Sequence, residues 1–404
     1  MKILLVSQYF WPENFRINDL AIELLNRGNE VVVLTGKPNY PQGKFYNGYR
    51  FFGYQKEEYR NVKIIRVPLI SRGSSSGLRL VVNYLSYVFF SCLYILTHSH
   101  KYDVSLTFAI SPITQVYAAL LHKKLYKSRA YLWVQDLWPE SVLAASKIEK
   151  GLIYKILYYM VKDIYRKVDG ILAQSEGFYP SIIDKEVNID KIKYIPNWAE
   201  DLFLNKENII ISKFKNILPK GFIVMFAGNI GEAQDFDSII KAATLTQEKK
   251  EIKWVIVGDG RKKEYLQKEI ISKGLTQTVF LLGQYPVEDM PSMFIHANVL
   301  LVTLKDEEIF SLTIPSKVQC YMAFGKPIVS MLNGTGNEII KEADCGYTSP
   351  AGDYKRLALN INALYECEPS ELEKMGENGR NYYQKNFSKN SIVNNLLDIF
   401  KNNT

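Results

Sequence analysis

Short apolar runs alternate with longer amphipathic stretches along this chain, and the alternation occurs twice. In the first half the runs fall at 2–7, 30–35, 62–67, 103–108, 130–135, 170–173 and 192–195; in the second they fall at 222–227, 252–257, 278–281, 298–303 and 327–331. Strands buried on both faces read as continuous apolar segments, and the amphipathic stretches supply the helical crossovers that a parallel sheet needs. The pattern predicts an α/β chain of two Rossmann-like units. A polar stretch from Asn197-Trp198 to Lys220, closed by Pro219-Lys220-Gly221 just before a fresh apolar run, puts the boundary at about residue 200.

One segment interrupts the rhythm. Residues 78–96 (LRLVVNYLSYVFFSCLYIL) approach the length of a membrane span, yet they include Arg79, Asn83, two serines and three tyrosines. Three readings stay open: a helix packed on the sheet, a helix dipping into a membrane interface, or a true span.

A length of 404 residues with 47% hydrophobic content supports two domains with substantial cores. Cys92, Cys320, Cys345 and Cys367 are scattered, without the close spacing of a zinc site or a disulfide framework, which fits a reducing cytoplasm. The opening Met1-Lys2-Ile3-Leu4-Leu5-Val6-Ser7 reads as a first core strand, being too short for a signal sequence. Net charge is +8 and its excess is one-sided: residues 1–200 hold 26 Lys and Arg against 17 Asp and Glu, while 201–404 hold 24 against 25. No nucleic-acid signature accompanies the basic residues, so an anionic membrane surface or a phosphorylated acceptor explains them better, with a solvated basic face as the plain alternative.

Ligands of open parallel sheets bind outside the carboxyl ends of the strands, so the loops after the runs hold the candidate chemistry. The first, Ser7 to Asn14, lacks the G-x-G-x-x-G of a dinucleotide turn. Its Tyr9, Trp11, Glu13 and Asn14 combine aromatic faces with polar edges, which suits a saccharide acceptor; core packing explains Tyr9, Phe10 and Trp11 equally well. After 130–135 come Asp136 and Glu140, two carboxylates four residues apart, with Pro139 suited to a helix start. Such a group orients an acceptor hydroxyl or takes its proton, unless Asp136 simply caps the turn.

In the second half, Gly228-Asn229-Ile230-Gly231 through Gln234 follows one strand and precedes a helix, and Gly258 to Arg261 repeats the arrangement one strand later. Glycines there let backbone approach a ligand, and free N–H groups at a helix start favour phosphate. Within 312–327, Ser316 reads as a helix N-cap and Gly325 as the C-cap. Lys317 in that first turn is the leading phosphate ligand. The turn Asn333-Gly334-Thr335-Gly336-Asn337-Glu338 precedes another helix. Asp235-Phe236-Asp237 matches a D-x-D metal pattern but reads as helix N-terminal charge.

Taken together, VQDLWPES at 134–141, AGNIGEAQ at 227–234, VGDG at 257–260, PSKVQCYMAFGKPIV at 315–329 and NGTGNEII at 333–340 resemble the GT-B retaining glycosyltransferases of family 4. The segments SQYFWPENFRINDLA at 7–21 and KPNYPQGKF at 37–45 look like the subgroup that transfers N-acetyl-L-fucosamine in O-antigen and capsule assembly. The resemblance implies two Rossmann-like domains facing across a cleft. An acceptor domain would span 1–200, a nucleotide-sugar domain 201–388, and a C-terminal helix in 389–404 would cross back to the first. It further implies a UDP-sugar donor held by residues 228–234, 258–261, Ser316, Lys317, Cys320 and Glu338, a polyprenyl-diphosphate-linked acceptor, no metal or other cofactor, and a peripheral place on the cytoplasmic face of the membrane. Two departures stand out. The family's Arg and Lys of the phosphate turn are replaced by Asn229 and Gln234, and its paired glutamates fall at Leu312 and Cys320. Lys317 and Arg261 are the candidates to restore the missing charge, and Glu307, Glu308 or Glu338 to restore the carboxylates. Asp136 and Glu140 remain as the catalytic candidates. A nucleotide-sugar 2-epimerase of the same fold and a non-enzymatic nucleotide-sugar-binding protein are the competing readings.

Overall fold

The computed structural model describes residues 1–73, 77–98, 100–146, 151–205 and 209–402. The chain divides into two compact units, one formed by Met1–Pro196 together with the segment from Ile392 onward, the other by Asn197–Ser391.

In the first unit the strands are β1 (Lys2–Val6), β2 (Glu30–Gly36), β3 (Gln55–Tyr59), β4 (Val62–Val67), β5 (Val104–Ala109), β6 (Arg129–Val134), β7 (Gly170–Ala173) and β8 (Ile192–Tyr194). They form one sheet in the order β3-β4-β2-β1-β5-β6-β7-β8, parallel throughout except for the β3–β4 pair. The second unit holds β9 (Phe222–Ala227), β10 (Ile252–Val257), β11 (Val279–Gly283), β12 (Val299–Thr303), β13 (Ile328–Met331) and β14 (Gly346–Ser349), in the order β11-β10-β9-β12-β13-β14. Strand order reverses beside β1/β5 and again beside β9/β12. These switch points open the crevices in which such sheets bind ligands.

Every apolar run expected to be a strand is one. The pattern missed β3 and β14, both edge strands. Gln55-Lys56-Glu57-Glu58-Tyr59 is polar because only one side of it is covered, and it joins β4 through Arg60 and Asn61 at φ +47° and +66°, the left-handed values of a tight hairpin turn.

The segment with three open readings is a helix, Gly77–His98, long and apolar enough by length and composition alone to cross a membrane. One of its faces is committed to the first sheet. Tyr87, Tyr94 and Ile95 pack with Leu4, Val32 and Leu34 in a buried cluster, the Tyr87 hydroxyl donates to the Leu34 carbonyl at 3.0 Å, and buried Asn83 accepts from Gln8 Nε2 at 2.7 Å. The last helix, Lys389–Asn402, buries Ile392, Val393, Leu396 and Phe400. Phe400 lies 5.0 Å from the Tyr131 ring, and the Tyr131 hydroxyl donates to the Ile399 carbonyl at 3.2 Å, so this helix completes the first unit's core.

Candidate functional site

At the β9/β12 switch point, the turn after β9 and the turn after β10 pack backbone against backbone. Gly258 sits at φ +148°, and a Cβ there would lie 1.8 Å from the Gly228 carbonyl oxygen; one on Gly228 itself would lie 2.7 Å from Lys317 Cε. Glycine at both positions is therefore required by contact as well as by φ. Cross-bonds between the Ile230 N–H and the Asp259 carbonyl (2.8 Å) and between the Lys262 N–H and the Ile230 carbonyl (3.0 Å) hold the two turns together.

The anion cradle differs in detail from the sequence expectation. The N–H groups of Gly228 and Gly258 are consumed in extending the sheet, bonding the Val257 and Gly283 carbonyls. Those of Asn229 and Gly231 have no partner among the described residues. The turn is fastened from β12, where the Thr303 hydroxyl donates to the Gln234 carbonyl at 2.6 Å and the Lys305 N–H to the Ala233 carbonyl at 2.9 Å. Hydrogen bonds from Lys305 and Lys262 hold the exposed Glu232 carboxyl down at about 2.

Lys317 enters this turn from helix Ser316–Phe324. Its Nζ donates to Gln234 Oε1 and sits 3.9 Å above the Phe226 ring, a cation–π contact. Among the described residues no carboxylate pairs with it. Burial without a counter-ion pushes its ammonium down to about 7. The positive charge that Gln234 lacks thus arrives on the Gln234 side chain from another element.

Other expected donor residues stand differently. Pro315, not Ser316, is the N-cap; Ser316 is the first helical residue, exposed and making no capping bond, because the proline's fixed φ already sets the extended entry. Gly325 ends the helix at φ +77°, as expected. Arg261 is exposed and bonds neither Lys317 nor Gln234, and Glu307, Glu308 and Glu338 are exposed as well. Cys320 donates its thiol to Glu200 Oε2 at 3.4 Å. Glu200 was invisible in the sequence reading because it lies 120 residues away in the chain, with no local motif. Asp235 caps helix Phe236–Leu245 by accepting from the Ser238 N–H, and Asp237 accepts from the Tyr265 hydroxyl at 2.6 Å, so the D-x-D pair serves helix and packing. Among the described residues no three His, Cys, Asp or Glu side chains cluster as metal ligands would.

In the first unit, the loop after β1 is more structural than its composition suggested. Tyr9 and Phe10 are buried, and Trp11 stacks on Tyr59 with centroids 4.5 Å apart. Glu13 is buried too. Its Oε1 accepts from the backbone N–H groups of Asn39 and Tyr40 at 2.8 and 2.7 Å, clamping one loop to another, and burial pushes its carboxyl up to about 7. Asn14 alone among the four acceptor candidates is exposed.

The paired carboxylates part company. Glu140 Oε1 accepts from Lys185 Nζ at 2.7 Å and from the Ser181 hydroxyl at 2.9 Å, with the Lys185 side chain fully buried. A buried ammonium needs a counter-ion, and Glu140 supplies it through Oε1, while its Oε2 is buried with no hydrogen-bond partner among the described residues. Asp136 does not cap its own turn: Oδ2 accepts from the Ser111 N–H and hydroxyl at 3.0 and 3.1 Å, and Trp138 Nε1 donates to the same hydroxyl at 3.0 Å. Its Oδ1 has no hydrogen-bond partner among the described residues, and burial raises the carboxyl against the pull of the Ser111 bonds. Tyr84 bonds Tyr9 and lies within electrostatic reach of Arg72 and Asp136. Arg72, which the sequence reading passed over, donates to the Tyr9 hydroxyl at 3.0 Å and lies over the Tyr40 ring at 5.0 Å. Asp136, Ser111, Tyr84, Tyr9 and Arg72 thus form one polar group at the β1/β5 switch point.

Residues 208–382 match the family described as Glycosyl transferases group 1. The match lies within the second unit. Among named relatives, the probable glycosyltransferase WbjE of Pseudomonas aeruginosa is 27% identical over 266 residues, which span 64% of this chain and 64% of that protein, a little under two thirds. The putative colanic acid biosynthesis glycosyl transferase WcaI of Escherichia coli K12 is 25% identical over 338 residues, 80% of this chain and 82% of its own. HepE of Anabaena, solved in complex with UDP, superposes with a TM-score of 0.72 over 100% of both chains at 15% identity. The two parallel-sheet units therefore have the GT-B fold class. The matched segment contains the whole Lys317 cradle.

Two outcomes follow from the carboxylates. Glu13→Gln keeps both accepted N–H bonds but cannot ionise. Because the folded Glu13 pKa lies above its unfolded value, wild-type stability falls as pH rises through about 4.5 to 7, so denaturant melts should show the variant gaining on wild type by up to about 3 kcal/mol between pH 4 and 8. Glu140→Ala, which leaves Lys185 buried and alone, should lower stability by about 3–5 kcal/mol in the same melts.

Proposed function

We propose that the protein is a retaining glycosyltransferase that moves a sugar from a UDP-sugar to a lipid-linked saccharide in capsule or O-antigen assembly, without a metal. N-Acetyl-L-fucosamine, or a related N-acetylaminosugar, is the donor sugar favoured by the sequence resemblance, and the cytoplasmic face of the membrane is the place of work. The observation that carries this reading is the Lys317 ammonium, without a carboxylate partner, at the β9 turn of a group 1 domain. The UDP bound by HepE supports the choice of nucleotide. The relatives' names support polysaccharide assembly as the setting.

In this reading Lys317 and the N–H groups of Asn229 and Gly231 stabilise the departing diphosphate, whose charge grows in the transition state. Glu200, beside Cys320, supplies a carboxylate for the donor's ribose hydroxyls in place of the family's missing glutamate. The acceptor hydroxyl is oriented by Asp136, whose open Oδ1 and raised pKa suit it to hold a proton. Positioning and exclusion of water supply the rest. The epimerase and simple-binding readings lack support from the named relatives. They are separated by products, since a transferase releases UDP only as an acceptor grows.

Calorimetric titration with UDP, GDP, dTDP and NAD in metal-free buffer tests the donor assignment; preference for NAD, or no binding at all, would overturn it. Lys317→Ala should weaken UDP binding by about 1–3 kcal/mol, the scale of a charge-assisted hydrogen bond. An anion favours the protonated amine, so wild-type affinity for UDP should decline above pH 7 by up to about tenfold per pH unit. The variant should lose that slope. Asp136→Asn should retain UDP affinity and lose transfer by at least about 100-fold; full activity in that variant would remove Asp136 from the reaction.

A further inference from the structure

Two arginines of the first unit are treated in opposite ways. Arg66 is buried with every guanidinium nitrogen engaged: Nε donates to Glu57 Oε2 at 2.7 Å, Nη1 to the Gly36 carbonyl at 3.2 Å and Nη2 to the Trp11 carbonyl. Arg72, in the loop after β4, is half-buried, and only its Nη1 is engaged, donating to the Tyr9 hydroxyl at 3.0 Å. Among the described residues its buried Nε has no hydrogen-bond partner, its Nη2 has none either, and no carboxylate pairs with it. Nε and Nη2 form the edge with which a guanidinium grips a carboxylate or phosphate through two parallel bonds. The open edge belongs to a firmly seated side chain. Its guanidinium carbon lies 5.0 Å over the Tyr40 ring, and the Arg72 backbone N–H donates to Asn39 Oδ1 at 3.0 Å. Glu13 holds the backbone N–H groups of both Asn39 and Tyr40, so that buried carboxylate shapes the seat of Arg72 without pairing with it.

We propose that Arg72 receives an oxyanion, a phosphate or a carboxylate, carried by the acceptor close to the hydroxyl that reacts. An arginine that only pinned Tyr9 would not need its charge, since a neutral donor holds a hydroxyl as well, and a partly desolvated cation without a counter-ion costs stability until an anion completes it. Its place matters as much as its charge. Tyr84 bonds Tyr9 and lies within electrostatic reach of both Arg72 and Asp136, so the open guanidinium edge and the carboxylate that orients the acceptor hydroxyl address one small ligand. The donor diphosphate is a poorer occupant, because the second unit provides the Lys317 ammonium for it. The inference rests on the reading that Asp136 orients an acceptor, and deepens it: the acceptor is acidic. A sugar joined directly to the diphosphate of its lipid carrier and an acidic sugar residue both present an oxyanion that this edge accepts.

Calorimetric titration of the full chain, first saturated with UDP so that the Lys317 site is filled, tests this assignment with N-acetylglucosamine, N-acetylglucosamine 1-phosphate and glucuronic acid as probes. At least one charged probe should bind at least about tenfold more tightly than the neutral sugar. A preference for the phosphate identifies the lipid diphosphate as the source of the anion, and a preference for the carboxylate identifies an acidic sugar. Arg72→Gln should bring the charged probes within about twofold of the neutral one while keeping the wild-type melting midpoint and UDP affinity. Arg72→Lys keeps the stem and the charge without the two-bonded edge, so it should lose at least about threefold of the preference, and it is the second variant should the first not fold. A wild type that prefers neither charged probe, or a full preference in either folded variant, overturns the proposal. A protein that binds UDP yet treats charged and neutral sugars alike sinks this inference alone, whereas one that ignores UDP and still discriminates through Arg72 keeps it and loses the donor reading.

Discussion

The second unit is arranged around one electrostatic constraint, an ammonium held at the end of a parallel strand without a carboxylate to neutralise it. Lys317 has an aromatic face below it, an amide oxygen beside it and a glycine against its stem. A side chain on Gly228 would displace it, and a side chain on Gly258 would displace Gly228. Thr303 and Lys305 fix the turn that supplies Gln234. The chain therefore spends two glycines, a strand end and a helix start on keeping one cation desolvated and unpaired. Such an arrangement costs stability unless an anion completes it.

The first unit handles its charges in the opposite way. Glu13 accepts from two backbone N–H groups, Glu140 from Lys185 and Ser181, and Glu57 from the buried Arg66 at 2.7 Å. Each carboxylate locks one loop or strand to another. Asp136 is held in the same way, through Oδ2, by the Ser111 N–H and hydroxyl. Residues 136 and 140 are close in sequence yet bonded to different parts of the unit.

Helix Gly77–His98 connects two scales of the molecule. Its inner residues reach the polar group at the first switch point, and its outer residues form an apolar stripe that is exposed among the described residues. A helix chosen only for solubility would show its polar residues to water. Here Asn83 and Ser91 are buried and the leucines are outside, so the same segment serves packing on one side and an apolar surface on the other.

The sequence by itself determined the two sheets, since buried parallel strands must read as apolar runs and the turns after them must carry glycine, and those local signals survive without knowledge of neighbours. It also pointed to the turn at 228–234 and to Lys317, because a helix start with a lysine is a local pattern. The edge strands β3 and β14 escaped because neither carries a continuous apolar run. Only tertiary structure decided that Lys317 replaces the charge absent at Gln234, that Glu200 stands beside Cys320, that Glu13 and Glu140 are clamps, and that Arg72 and Tyr84 join Asp136. Each of those facts is a contact between segments tens of residues or more apart, and neither hydrophobic period nor local propensity constrains which distant side chain arrives at a given oxygen or ammonium.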